Sequence, residues 1–153
     1  MRWERSARMR RAALLALSVL LAPASWADEA PWWVRTWRYG EILGRPAARA
    51  SLVEVLSAAR VEGIALTQDR LTDPLGGDCA SGVRYDDIVP RGRLEIGEHF
   101  GQHWRLPPEL ETPGTVAGWV RCGPDHGNLA AVAFVRPGLG YRFFEDGLVL
   151  TLR

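Results

Sequence analysis

The sequence predicts a mainly β fold, a small antiparallel barrel or sandwich, with one helix near the mature N-terminus. Three observations predict it. The C-terminal third is a succession of short apolar alternations joined by connections too short for parallel crossovers. The middle repeats the pattern in shorter runs, and only one segment has helical periodicity.

Taken in chain order, "APWWVRTWRYG" places Trp33, Arg35, Trp37 and Tyr39 on one phase, as an aromatic-rich strand does. "RPAARASLVEVLSAARVEG" spaces Ala48, Leu52, Val55, Leu56 and Ala59 for a helix over roughly Ala47 to Arg60. Pro46 suits a first turn, and Gly63 lies past the end. "GIALTQDRLTD" alternates at Ile64, Leu66 and Gln68 and then changes phase. "SGVRYDDI" and "GRLEIGEH" read as strands, the first with Val83 and Tyr85 on one side, the second with Leu94 and Ile96. "LPPELETPG" is loop-like. "TVAGWVRCG" is a strand rich in Val and Trp, "NLAAVAFVRPGLGYRFF" is a strand pair around Pro137-Gly138-Leu139-Gly140, and Glu145-Asp146-Gly147 turns the last hairpin.

The first residues have the parts of a secretory leader in order. Arg2, Arg5, Arg8, Arg10 and Arg11 precede an apolar run from Ala12 to Ala22, followed by Pro23 and by Ser25-Trp26-Ala27. The expectation is a signal peptide over residues 1–27 and a single domain over 28–153 in the periplasm or outside the cell. The apolar run is about half of the roughly 20 residues that span a bilayer, so no membrane span is expected after cleavage.

All 19 basic residues are Arg. Cleavage would remove five of them and Glu4, leaving 14 basic against 17 acidic residues, a formal charge of −3. Such a balance argues against a nucleic-acid partner, and the lack of Lys removes lysine Schiff-base chemistry. Cys79 and Cys122 are the only cysteines. In an oxidising compartment an even pair reads most simply as a disulfide. A redox pair, a metal site and a thiol nucleophile, the last with His126 four residues beyond Cys122, are the alternatives.

Two of the three histidines lie in "EIGEHFGQHW". His99, His103 and His126 would be the nitrogen donors of a metal site, with Asp125 or Glu98 as a fourth ligand. On a helix His99 and His103 would share an ion. On a strand they would stand about 13 Å apart. Gly97 and Gly101 argue for the strand, running into an aromatic loop, because each costs a helix about 1 kcal/mol. Asp86-Asp87 and Glu109/Glu111 are expected to be turn or solvent-facing acids. Phe100, Trp104, Arg105 and Trp119 are the candidate contacts to a ligand or partner, since Trp and Arg are enriched at interfaces and aromatics line barrel cavities.

The order of Trp37-Arg38-Tyr39-Gly40, Cys79 ahead of Tyr85-Asp86-Asp87, Cys122 at a strand end and a final "FEDGLVLTL" resembles small exported bacterial β-barrel proteins. These include lipocalin-like proteins of unknown role and C-type lysozyme inhibitors. For the inhibitors' G-x-Y element the nearest match is Gly140-Tyr141, and a lipocalin G-x-W is replaced by Arg35-Thr36-Trp37. The resulting expectation is a non-enzymatic exported β-domain, without cofactor, that binds a small apolar ligand or an envelope protein. The alternatives are a metal-dependent enzyme using His99, His103 and His126, and an inhibitor of a cell-wall hydrolase.

Overall fold

The computed structural model describes residues 29–43, 63–102, 106–124, 127–145 and 147–153. The leader and the predicted helix over 47–60 lie outside the described residues. The strands are β1 (Thr36–Trp37), β2 (Tyr39–Leu43), β3 (Ile64–Leu66), β4 (Leu71–Thr72), β5 (Val83–Arg84), β6 (Val89–Pro90), β7 (Val116–Cys122), β8 (Asn128–Arg136), β9 (Leu139–Phe143) and β10 (Val149–Leu152). One α-helix, α1 (Arg93–Phe100), and a 3-10 turn (Pro108–Glu111) fall between β6 and β7.

These strands form two antiparallel sheets, neither closed into a barrel. One has the order β1-β3-β4. The other has the order β2-β10-β9-β8-β7-β5, with β6 also on the outer edge of β7. β7 to β10 are the expected meander. The chain moves from the small sheet to the large one at Arg38, which exchanges backbone hydrogen bonds of 2.7 and 2.9 Å with Arg153.

β8 explains why its sequence is an unbroken apolar run. Ala130, Val132 and Phe134 belong to one core and Ala131, Ala133 and Val135 to another, so both faces of the large sheet are covered. On the first face, Trp33, Trp37, Ile64, Leu66 and Leu71 pack against Val120, Phe134, Leu150 and Leu152. Phe134 stacks on Trp33 and Trp37 at centroid distances of 5.4 and 5.1 Å. On the second face, α1 and the 3-10 turn contribute Ile96 and Leu110 over Ala117, Ala131, Tyr141, Phe143 and Val149.

Inside the first face lies a charged cluster. Asp73 accepts hydrogen bonds from the Tyr39 hydroxyl at 2.8 Å and the Leu75 N–H at 3.0 Å, and pairs with Arg142 Nε at 3.4 Å. Arg142 also donates to the carbonyls of Phe143 and Leu129. The cluster ties the loop after β4 to β2 and β9 with every described polar group partnered. Cys79 and Cys122 are joined in a disulfide, as expected. Since Cys79 bridges to Leu71 of the small sheet and Cys122 ends β7, the bond joins the two sheets.

α1 corrects the reading of "GRLEIGEH" as a strand. Leu94, one of the two residues that suggested alternation, is 82% exposed, whereas Ile96 is fully buried and Phe100, four residues on, packs on the same core. Glu95 closes the first turn by accepting the Gly92 N–H at 2.8 Å. At the other end Gly101 is left-handed (φ 65°), with Gly101 N–H to the Glu98 carbonyl and Gln102 N–H to the Gly97 carbonyl. This is a Schellman motif, so Gly101 terminates the helix and does not oppose it. At Gly97 a Cβ would lie 2.7 Å from the Gln102 carbonyl oxygen and 2.9 Å from Leu106 Cδ1. That glycine is what allows the chain to fold back beneath the helix.

Candidate functional site

The segment singled out in the sequence meets Asp87 through His99. Tyr85 to Ile88 form a turn, closed by the Ile88 N–H on the Tyr85 carbonyl, that interrupts the outer edge of the sheet between β5 and β6. There the backbone of β7 finds side chains in place of a strand. The Asp87 carboxylate accepts the Trp119 N–H at 2.7 Å, and Arg91 donates to the Ala117 carbonyl. The same carboxylate receives His99 Nε2 at 2.7 Å and Arg91 Nη2 at 3.2 Å. Gly118 is required, because a Cβ there would overlap the Asp87 carbonyl.

Burial pushes the Asp87 pKa up. The Trp119 N–H, the bond and charge of His99 and the Arg91 charge outweigh it, and the carboxyl is held below its ordinary range. Both acids lie in a turn, as expected; Asp86 faces solvent, whereas Asp87 is an anionic tie between turn, helix and strand.

His99 is thus taken up by a carboxylate, and no group of three metal-ligating side chains occurs among the described residues. His99 lies on the helix Arg93–Phe100 and not on the strand that was expected. His103, Trp104, Arg105, Asp125 and His126 lie outside the described residues. Phe100 and Trp119 are brought together, ring edge to face at 5.4 Å, and Phe100 also packs on Phe143 at 5.0 Å. Both are half-buried in the second core. The recess beside His99, lined by Val89, Pro90, Arg91, Glu95 and Glu98, is a wide shallow cleft.

A deeper recess, not read from the sequence, lies on the same face at the β2 end of the sheet. It has a volume of about 360 Å³. Leu43, Leu139 and Tyr141 line it from the sheet, Leu106, Pro107 and Pro108 from the facing segment, and Glu41, Glu109, Thr151 and Arg153 supply its polar groups. A β-bulge shapes it: Leu150 pairs with Ile42 and Leu152 with Tyr39, so Gly40 and Glu41 together oppose Thr151. The extra residue reverses the phase of β2 and turns Glu41 and Leu43 toward the second face. Thr151 Oγ1 accepts the displaced Glu41 N–H at 2.7 Å, and only glycine fits at position 40 against that hydroxyl.

Tyr141, almost fully buried, donates its hydroxyl proton to Glu109 at 3.2 Å. Burial and then the Glu109 carboxylate push its pKa up to about 12, so the phenol stays protonated. Arg153 reaches Glu41 at 3.6 Å across the solvent-exposed rim.

The chain matches no family model, no curated protein and no solved structure.

Proposed function

We propose that this protein is an exported, non-enzymatic β-domain whose Tyr141 recess binds a small, largely apolar ligand. The observation that carries the reading is the recess itself: aliphatic and proline walls, a buried tyrosine, and a few polar groups at its rim, one of them, Glu41, placed there by a bulge. Binding sites for small molecules combine concave apolar walls with a small number of placed polar groups, and about 360 Å³ lies within their usual range of volumes. Export is supported by the leader-like N-terminus and by the disulfide. The test is native mass spectrometry of full-length protein extracted gently from its own envelope fraction. A small-molecule adduct is expected, and it should disappear in Leu139→Trp, which fills the recess. Bare protein, or an adduct that survives the substitution, refutes the reading.

A second reading, an envelope-protein partner, draws support from the outer face of α1, where Leu94 is 82% exposed, and from Val89, 39% exposed, on the nearby edge strand. A photo-crosslinker at position 94 should give one discrete protein adduct in living cells, weakened by Val89→Asp. A diffuse ladder, or an adduct indifferent to Val89→Asp, refutes it.

A further inference from the structure

We infer that the Tyr141 recess selects ligands with a positively charged, hydrogen-bond-donating head on a short aliphatic chain, such as an alkylammonium. This rests on the recess being a ligand site and adds the chemical class of its occupant.

The argument is a count of donors and acceptors. Glu41 and Glu109 bring two carboxylates into the lining, and Arg153 brings one cation. That cation already faces Glu41 at 3.6 Å. The Tyr141 hydroxyl proton is committed to Glu109, an arrangement that leaves the second Glu109 oxygen as an acceptor. Arg136 acts on Tyr141 electrostatically but does not line the recess.

On the facing wall, Pro107 and Pro108 have no N–H to offer an anion. The polar groups available to a ligand are therefore chiefly acceptors with net negative charge. A carboxylate or phosphate head would meet like charge, and an ammonium head would find complementary partners. The aliphatic chain belongs against Leu43, Leu106 and Leu139.

The experiment is isothermal titration of the full-length protein at pH 7 with three probes of equal chain length: n-octylammonium, n-octanol and n-octanoate. The expected order is octylammonium tightest, by at least about tenfold over octanoate, with octanol between. In Glu109→Gln the preference for octylammonium over octanol should collapse while octanol binding persists, which separates loss of charge from loss of fold. Leu139→Trp should abolish binding of all three. Equal binding of octylammonium and octanol, or tighter binding of octanoate, overturns the charge selectivity but leaves the small-ligand reading standing. Binding of none of the three, or binding that survives Leu139→Trp, overturns both.

Discussion

Replacing Asp87 by Ala should be among the most damaging single substitutions in this protein, and its cost follows from the bonds removed. The Trp119 N–H loses its partner at a half-buried edge, worth about 1–3 kcal/mol. His99 loses a charge-assisted bond of 2.7 Å. Arg91 loses one of its contacts but keeps the Asp87 and Ala117 carbonyls, so its share is smaller. With side-chain exposures of 12% for Asp87, 17% for Arg91 and 27% for His99, solvent screens these bonds only in part. The sum is about 3–5 kcal/mol, the range for breaking a largely buried charged pair.

Urea unfolding at pH 7 measures this directly, and a double-mutant cycle with His99→Ala should give a coupling of about 1–2 kcal/mol. The pH profile adds an independent check. The folded-state pKa of Asp87 is lowered, so its stabilisation is complete above the unfolded value of about 4 and is lost as pH falls through the folded pKa. The stability gap between wild type and Asp87→Ala should therefore begin to narrow below about pH 4 and keep shrinking as pH falls through the lowered folded pKa. A loss under about 1 kcal/mol at neutral pH, or a gap that persists undiminished in acid, would refute the assignment of Asp87 as the anionic tie of this edge.

Three further outcomes are expected. Gly97→Ala should destabilise by about 1–3 kcal/mol in thermal or urea unfolding, against the roughly 1 kcal/mol gain that helix propensity alone predicts, because the new methyl group meets the Gln102 carbonyl. Replacing both cysteines by Ser should cost about 4 kcal/mol in the chain-entropy model for a separation of 43 residues, measured as a fall in the urea midpoint. Arg142→Met should cost about 3–5 kcal/mol, since it leaves Asp73 buried without its cation, and the double substitution Asp73→Leu with Arg142→Met should recover part of that loss.

The meander was legible in the sequence because each of its strands pairs with its chain neighbour and each turn carries its own chemistry, such as Pro137-Gly138 between β8 and β9. The disulfide was legible from the even cysteine number and the export expected from the leader-like N-terminus. α1 was not, and the reason is local. Arg93-Leu94-Glu95-Ile96 alternates like a strand, and two glycines argue against a helix unless one knows that Gly101 ends it and Gly97 lets Gln102 approach. Asp87 lies in a turn as expected, but its role was not legible for a related reason: residue type marks a turn but does not say that the turn lies against a strand with a bare N–H. The recess depends on a bulge in the pairing of β2 with β10, where Glu41 and Thr151 meet across 110 residues of sequence. No periodicity within either strand foretells that register.

The treatment of the sheet edges bears on how the folded domain behaves when crowded. A strand edge with a continuous row of unpaired amides and carbonyls invites pairing with another molecule and growth into aggregates. At the β7 side, the edge is broken by the Tyr85–Ile88 turn, two of its backbone groups are occupied by Asp87 and Arg91, and β6 ends in Pro90, which offers no N–H. At the other side, the bulge increases the local twist of β2. The bonds that hold the helix interrupt the β7 edge and the bulge twists the β2 edge, so neither described edge of the large sheet is a flat template for fibrillar self-association.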